Sequence, residues 1–271
     1  MILNDILTAK RKDLEELKIR FPIQRLREAT EHKVRGGVRS FKKSVSGAKH
    51  LNIVCELKKA SPSEGVIRED FQPLRIASIY DCGGAAAISV LTETHYFKGR
   101  PSYLKTVRQV THVPLLRKDF LFESYQLYET ALLEADAYLL IASILTEEEL
   151  AHLIALGKKL HMDALVEVHT EDELKKALGA GAEIIGINNR DLKSLTVDPK
   201  RARKLLPQVP KGIPVVVESG FSRREELMEY QTLGIHSFLI GSALMKAPDI
   251  GAKLSELLGN DQKWLKTGAP S

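Results

Sequence analysis

Eight short apolar runs constrain the fold of this chain more than any other feature of its sequence. They are rich in Val and Ile, and they lie at 53–57, 85–91, 113–117, 137–142, 164–168, 184–188, 214–217 and 237–241. Their starts are roughly 20 to 32 residues apart, enough for a strand, a loop and a helix, and the segments between them have helical patterning. Eight β-α units on one chain predict a closed (β/α)8 TIM barrel of the α/β class, with a doubly wound open sheet as the alternative.

The residues before the first run have a different pattern. Residues 2–18 place apolar side chains at helical spacing with charged residues between them, which predicts an amphipathic helix. A second helical stretch, from about 23 to 34, ends at Gly36-Gly37. We therefore expect an N-terminal helical extension over residues 1–50, packed on a catalytic barrel over 51–258, and a C-terminal tail over 259–271.

The net charge of +5 is unevenly distributed along the chain. Residues 1–50 carry 13 Lys and Arg against 6 Asp and Glu, a balance of +7, so the remainder is slightly acidic at −2. RNA binding by this basic segment is one interpretation, but a solvated helix face, or a positive rim that attracts a small anionic substrate, fits the same charges better. The basic residues considered are Arg25, Arg27, Lys33, Arg35, Arg39, Lys42 and Lys43.

Composition excludes several other classes of protein. The hydrophobic content of 44% and the charged content of 28% are ordinary for a globular chain, and no apolar run approaches the roughly 20 residues of a membrane helix. Asp5 interrupts what would be the core of a signal peptide, so we expect a cytoplasmic location. Cys55 and Cys82 form no C-x-x-C pair, and the eight histidines show no ligand spacing, so we expect no disulfide framework and no metal site.

Polar residues collect where the apolar runs end. In a (β/α)8 barrel these carboxyl ends and the following loops build the active site. Side chains alternate along a strand, so Glu56 and Lys58 should face the same way, with Val54 one step deeper. One such pair alone is typical of a structural ion pair, but charges or amides at five strand ends favour catalysis. The ends carry Glu56 and Lys58; Arg117, Lys118 and Asp119; Glu167; Asn188, Asn189 and Arg190; Glu218, Ser219 and Gly220; and Gly241 and Ser242, while Thr92-Glu93 and Ser143 follow the other two runs with less evident chemistry.

The residue types at these ends suit acid-base chemistry on a sugar phosphate. A lysine can protonate a carbonyl oxygen or form a Schiff base, and a carboxylate can accept a proton. Small residues at two consecutive strand ends, Ser219-Gly220 and Gly241-Ser242, predict a phosphate cradle. Phe97 and Phe120 either pack in the core or line a pocket for a flat ring.

These motifs together resemble the indole-3-glycerol phosphate synthases of tryptophan biosynthesis, from the N-terminal helix to about Leu258. The last residues, with Trp264, have no counterpart in the resemblance. The matching motifs are ELKKASPSEG at Glu56–Gly65, AISVLTETHYFKG at Ala87–Gly99, PLLRKDF at Pro114–Phe120, LVEVHTEDEL at Leu165–Leu174, IGINNRDL at Ile185–Leu192, VESGF at Val217–Phe221 and LIGSALM at Leu239–Met245.

The resemblance implies a reaction and a role for each residue. The reaction converts 1-(2-carboxyphenylamino)-1-deoxyribulose 5-phosphate to indole-3-glycerol phosphate, with loss of carbon dioxide and water and without a cofactor or metal. Lys118 would be the general acid and Glu167 the general base. The other roles are intermediate stabilisation by Glu56 and Asn188; orientation of anionic groups by Lys58, Ser61 and Arg190; ring binding by Phe97, Phe120 and nearby leucines; and substrate binding by Glu218, Ser219, Gly220, Gly241 and Ser242, the last four at the phosphate.

Three alternatives stay open from the sequence. A Schiff-base aldolase would use Lys118 or Lys58 as its nucleophile. Phosphoribosylanthranilate isomerase fits less well because it does not need two lysines. A non-enzymatic RNA-binding or scaffold protein would rely on the basic N-terminal helices. We expect the partner to be a small anionic substrate, with no nucleic acid and no membrane, and the chain to be a monomer or a weak homo-oligomer.

Overall fold

Eight parallel strands form a closed barrel in the computed structural model of this chain, which describes residues 2–31, 39–191 and 194–260. The strands are β1 (Asn52–Leu57), β2 (Ala60–Ser61), β3 (Gly65–Val66), β4 (Ala87–Leu91), β5 (Leu115–Lys118), β6 (Ala137–Ile141), β7 (Asp163–Val168), β8 (Ile185–Asn188), β9 (Val215–Glu218) and β10 (Ser237–Ile240). β2 and β3 form a separate antiparallel pair, and β1 closes the barrel by pairing with both β4 and β10. The predicted (β/α)8 barrel is therefore confirmed, and the open sheet is excluded.

Helices follow the barrel strands and cover the outside. They are α1 (Ile2–Arg20), α2 (Ile23–Glu31), α3 (Phe41–Ser44), α4 (Pro73–Cys82), α5 (Tyr103–Arg108), α6 (Ser124–Leu132), α7 (Glu147–Lys159), α8 (Glu171–Gly179), α9 (Lys200–Leu205), α10 (Arg224–Gln231), α11 (Ser242–Lys246) and α12 (Ile250–Leu258). Local sequence fixes several starts: Thr146 and Glu149 form a capping box at α7, and Thr170 caps α8. Within the described ranges, none of the helices is both long and apolar enough to cross a membrane.

The alternation of side chains along the strands divides the apolar core in two. Cys55 belongs to the larger cluster, between the strands and the helices, and its burial raises the pKa of its thiol well above the ordinary value. Val54, Leu165 and Val216 belong to the second cluster, inside the barrel. Both faces of the strands therefore pack against apolar side chains, which explains why the runs are continuously apolar in sequence.

The N-terminal helices contact both ends of the barrel. At the amino end, α3 is held where the Lys42 backbone N–H donates to Asp163, the first residue of β7, at 2.8 Å. At the carboxyl end, Lys10 of α1 donates to Asp119 at 2.7 Å, directly after β5. This segment is therefore integrated with the barrel through both of its ends.

Several sequence predictions fall partly or wholly outside the described residues. These are the end of the second helical stretch near residue 34, the Gly36-Gly37 break, Lys33, Arg35, and the tail from 261 onward with Trp264. The division into an extension over 1–50, a barrel over 51–258 and a tail over 259–271 stays a prediction.

Candidate active site

A cleft of about 340 Å³ opens at the carboxyl ends of the barrel strands. All of the residues that the sequence placed at the substrate line it. They are Glu56, Lys58, Ser61, Phe97, Lys118, Phe120, Glu167, Asn188, Arg190, Glu218, Ser219, Gly220, Gly241 and Ser242. The barrel therefore brings together residues from the ends of seven strands and the loops that follow them, and their individual roles stay predictions.

Lys118 lies between two buried carboxylates at the centre of this cleft. Its Nζ is 2.9 Å from Oε2 of Glu167 and 2.9 Å from Oε2 of Glu218. Burial alone would lower the pKa of Lys118, but the charges of Glu167 and Glu218 outweigh it and raise that pKa above its ordinary value. At neutral pH the lysine is therefore an ammonium group with a proton to donate.

The two carboxylates beside Lys118 differ in their affinity for a proton. Burial opposes ionisation of Glu167, but the charges of Lys118 and His169 lower its pKa to about 2. Burial raises the pKa of Glu218 to about 7. The charge of Lys118 offsets only part of this increase, and the charge of Glu167 adds to the increase. Near neutral pH Glu218 can therefore gain or lose a proton at little cost beside the charged Lys118. General acid-base catalysis requires a group of this kind.

The first strand contributes an ion pair that faces the same cleft. Lys58 Nζ is 2.9 Å from Glu56 Oε2, so the two side chains share a face, as the strand alternation predicted. Gly241 lies against this pair: a Cβ at its position would be 2.1 Å from Glu56 Oε2. Glycine at the end of β10 is therefore required by the close approach of the Glu56 carboxylate.

Asn188 and Arg190 are held by the chain that follows β8. The Asn188 side-chain oxygen accepts the backbone N–H of Arg190 at 2.9 Å, and Arg190 Nη1 donates to the Leu195 carbonyl at 2.8 Å. Asn188 also helps to lower the pKa of Glu167. The amide thus acts on the acid-base group and holds the backbone of Arg190.

Two aromatic rings form an apolar wall of the cleft. The ring centroids of Phe97 and Phe120 are 6.3 Å apart, with the planes tilted by 42°. Leu91, Leu139 and Leu239 line the cleft beside them. The cleft therefore has an apolar wall at the place where a pocket for a flat ring is predicted. Phe120 is also part of the core, so the two interpretations of this ring are compatible.

The phosphate-cradle residues lie beside the ends of β9 and β10. Ser219 and Gly220 both have positive φ, at 68° and 91°, which is rare for a residue with a side chain and turns the chain sharply after β9. Ser242 Oγ donates to Glu64 at 2.6 Å, and Lys246 also pairs with Glu64. A hydroxyl and an ammonium group therefore lie next to the predicted phosphate position.

Two residues counted among the strand ends lie elsewhere. Arg117 is buried in the barrel wall and bonds to Thr92 and Thr130, and Asn189 donates to the Ser219 carbonyl. Neither lines the cleft, because strand alternation turns them away from the neighbours Lys118 and Asn188. Their role is to pair buried polar groups within the wall.

Sequence reasoning assigned no role to three groups that support the cleft. Glu93 is fully buried, and its carboxylate accepts the backbone N–H groups of residues 95, 96 and 97, which fixes the loop carrying Phe97. Asp119 pairs with Lys10 and so joins the end of β5 to α1, and His169 Nε2 lies 3.4 Å from Glu167 Oε1. Glu93 gave no signal beyond an acid at an ordinary strand end; His169 stood in a motif but was assigned no task.

The fold and the cleft define a class: an α/β-barrel enzyme with acid-base groups at the carboxyl ends of its strands. The family model for indole-3-glycerol phosphate synthase matches residues 3–257. The chain belongs to the indole-3-glycerol phosphate synthase family. Among the described residues, no group of three or more His, Cys, Asp or Glu side chains is arranged to hold a metal ion.

Relatives named indole-3-glycerol phosphate synthase match 95% of the chain. The protein from Campylobacter jejuni subsp. jejuni is 44% identical over 263 residues, covering 95% of this chain and 100% of that protein. The protein from Carboxydothermus hydrogenoformans is 43% identical over 263 residues, with the same coverage. Similarity at this level and length agrees with the family match.

Solved structures with low sequence identity share the architecture. KGPDC from Streptococcus mutans has a TM-score of 0.59 at 14% identity and covers 79% of this chain and 97% of its own. The N-acetylmannosamine-6-phosphate 2-epimerase from Clostridium perfringens has a TM-score of 0.60 at 17% identity, covering 83% of this chain and 100% of its own. At such identities the likeness extends to the barrel fold alone.

Proposed function

We propose that this chain converts 1-(2-carboxyphenylamino)-1-deoxyribulose 5-phosphate to indole-3-glycerol phosphate by ring closure, decarboxylation and dehydration. It is a carboxy-lyase of tryptophan biosynthesis. The observation that carries the proposed mechanism is the position of Lys118, charged and held between Glu167 and Glu218 at the mouth of the barrel. This arrangement supplies a proton donor and a proton acceptor within one cleft.

Ring closure is assigned to Lys118 as general acid. The ring carbon that bears the carboxylate attacks the ketone carbon, and negative charge develops on the ketone oxygen. Lys118 donates its proton to that oxygen, which forms an O–H bond and leaves a neutral amine on the lysine. The cost of the transfer is limited because Glu167 and Glu218 lie 2.9 Å from Nζ and can share a proton with it.

Decarboxylation and dehydration follow on the closed ring. Attack leaves positive charge on the ring system, and Glu56 and Asn188 are assigned to stabilise it. The carbon–carboxylate bond then breaks, its electrons restore the aromatic ring, and carbon dioxide leaves. In the last step Lys118, reprotonated after ring closure, gives a proton to the new hydroxyl, which leaves as water. Glu167 takes the proton whose loss forms the indole double bond and can return it to Lys118.

The remaining cleft residues are assigned to binding. The phosphate lies against Ser219-Gly220 and Gly241-Ser242, and the carboxyphenyl ring against Phe97 and Phe120. The groups that orient the anionic parts of the substrate are Lys58, Ser61 and Arg190, with Glu218 contacting the substrate from the Lys118 side. These assignments are supported by the shared cleft and by the family's motifs at the same positions.

The cellular setting is part of the proposal. We place the enzyme in the cytoplasm, acting on a small anionic substrate without a cofactor or metal, and without nucleic-acid or membrane partners. The chain acts as a monomer or a weak homo-oligomer. The basic N-terminal residues serve contacts within the molecule, as in the pairing of Lys10 with Asp119 and of Lys42 with Glu183.

The experiment is to add the carboxyphenylamino substrate to the purified chain and follow indole fluorescence and carbon dioxide release. We expect equal amounts of both products. The Schiff-base alternative is tested in parallel by borohydride reduction in the presence of a sugar phosphate. No covalent adduct is expected at Lys118 or Lys58; an adduct without indole formation would replace this proposal with an aldolase.

A further inference from the structure

The proposed reaction consumes one proton in every turnover. The ketone oxygen gains two protons before it leaves as water, and only one proton is recovered when the indole double bond forms. This net uptake of one proton arises because an ionised carboxylate leaves as neutral carbon dioxide, and the electrons of the broken bond stay on the ring. Lys118 must therefore be reprotonated, with a net supply of one proton from solvent.

A line of titratable side chains leads away from Lys118 through the barrel wall. Lys118 Nζ is 2.9 Å from Glu167 Oε2, and the other oxygen, Oε1, is 3.4 Å from Nε2 of His169. The second imidazole nitrogen, Nδ1, is 3.4 Å from Oε2 of Glu173 in α8. The four groups therefore lie in a line, and their facing atoms are separated in turn by 2.9, 3.4 and 3.4 Å.

The two facing atoms in the middle of this chain have no other use in the fold. Glu167 Oε1 and His169 Nε2 are buried, and neither has another hydrogen-bond partner among the described residues. A buried polar atom without a hydrogen bond costs free energy of folding, so two such atoms facing each other need an explanation. A function in catalysis would provide one. A shift of a few tenths of an ångström would bring the two atoms into a hydrogen bond.

Exposure rises along the same line. The exposed fraction of the side chain is 1% for Glu167, 8% for His169 and 16% for Glu173. The line therefore starts at the buried acid-base group and ends at a carboxylate that water can reach. His169 and Glu173 do not line the cleft, so this route reaches solvent without crossing it.

The charges around His169 favour its protonated form. Burial alone would lower the pKa of this histidine, and Arg201 of α9 acts in the same direction. The carboxylates of Glu173 and Glu167 outweigh both and raise the pKa above its ordinary value. The carboxylates on its two sides therefore favour uptake of a second proton by His169, beside a carboxylate that can accept one.

We propose that His169 and Glu173 return a proton from solvent, through Glu167, to Lys118 between ring closure and dehydration in each turnover. This inference rests on the proposed function. A solvent proton adds to Nδ1 of the neutral imidazole beside Glu173, the Nε2–H bond breaks as an O–H bond forms on Glu167, and that proton then moves to the neutral Lys118 amine. Exchange of the ring protons with water restores the Nε2–H form of His169. His169 and Glu173 touch no substrate, so both are positioning residues that act through Glu167.

The first test compares His169→Ala and His169→Gln with wild type by indole fluorescence. For the alanine variant kcat should fall about tenfold or more, with a much smaller change in KM, and added imidazole should restore part of kcat. Glutamine can donate a hydrogen bond to Glu167 but cannot pass a proton on, so this variant should stay slow. A His169→Gln variant as fast as wild type, or an alanine variant that imidazole does not restore, would overturn the relay.

The second test uses Glu173→Gln, because the amide oxygen can still accept the His169 backbone N–H that Glu173 now accepts at 2.7 Å. Without this carboxylate the imidazolium loses its raised pKa, so kcat should decline at a lower pH than in wild type. Glu171→Gln, an exposed change in the same helical turn, is the matched control and should leave the profile unchanged. An unchanged profile for Glu173→Gln would contradict the relay even if the His169 variants do not fold, whereas wild type without indole product would overturn the proposed function as well.

Discussion

At the scale of single residues, the site depends on ionisable groups that the fold holds out of water. Lys118, Glu167 and Glu218 could be identified from the sequence because each stands at the end of an apolar run. Their different proton affinities could not, because these follow from separations of 2.9 Å between residues up to 100 positions apart. Glu93 and His169 were missed for the same reason: their partners are set by loops and packing, not by spacing along the chain.

The raised pKa of Glu218 predicts a pH-dependent penalty on folding. An unfolded glutamate titrates near 4.5 and the folded one at about 7, so the folded state resists ionisation. The stabilising effect of this protonated form is complete below about pH 4.5 and is lost as pH rises to about 7. Relative to wild type, Glu218→Gln should therefore gain roughly 3 kcal/mol between pH 4.5 and pH 8.

The measurement is urea denaturation of both proteins at several pH values. Glu225→Gln, at an exposed position of α10, is the control and should show no such gain. A stability difference between Glu218→Gln and wild type that does not vary with pH would contradict the assigned proton affinity.

The close approach at Gly241 predicts a loss of activity on substitution by alanine. The new Cβ would meet the Glu56 carboxylate at 2.1 Å, so Glu56 must move away from Lys58. Displacements of about 1 Å in a site can reduce rates by up to about 100-fold. We expect kcat/KM of Gly241→Ala to fall by at least about tenfold while the protein remains folded by circular dichroism.

Gly47→Ala is the matched control for this substitution. Its Cβ would lie 3.4 Å from the Asn52 side chain, an ordinary contact at the amino end of the barrel. Normal turnover by Gly241→Ala would show that the position of the Glu56 carboxylate does not matter for the reaction.

At the scale of elements, periodicity predicted the barrel well. Each apolar run became a strand, and the helical patterning between the runs became helices, such as α6, α7 and α8. The placement of α1 could not be predicted, because its contacts join distant positions: Lys10 to Asp119, and Asp13 to His95. A helix pattern shows which face is apolar but not which surface that face covers.

The pairing of α1 with the barrel predicts a large effect at Lys10. The Asp119 side chain is fully buried and accepts bonds from Lys10, Thr92 and Arg117. Removing one partner of a buried ion pair typically costs about 3–5 kcal/mol. Lys10→Ala should therefore lower the free energy of unfolding by roughly 3 kcal/mol, measured by urea denaturation.

Lys12→Ala provides the comparison for this prediction. Lys12 lies on the exposed face of the same helix, and its removal should change stability by less than about 0.5 kcal/mol. Equal effects of the two substitutions would mean that the Lys10–Asp119 pair does not hold α1 to the barrel.

At the scale of the whole molecule, the charge distribution has a structural explanation. The excess of positive charge lies before residue 51, and part of it is used in pairs with the barrel: Lys10 with Asp119, Lys18 with Glu123 and Lys42 with Glu183. Of the basic residues considered for RNA binding, Lys42 is paired in this way, and the expectation of no nucleic-acid partner stays a prediction. The cleft itself gathers Lys58, Lys118, Arg190 and Lys246, which suits a substrate with two anionic groups.

The central claim is that the ring of charged groups at the barrel mouth performs the indole-forming reaction. The most direct test measures kcat by indole fluorescence for wild type, Lys118→Ala, Glu167→Gln and the exposed control Lys158→Ala. We predict product from wild type and the control at similar rates, and a loss of about 100-fold or more in each site variant. No indole from wild type, or normal turnover by both site variants, would contradict the account.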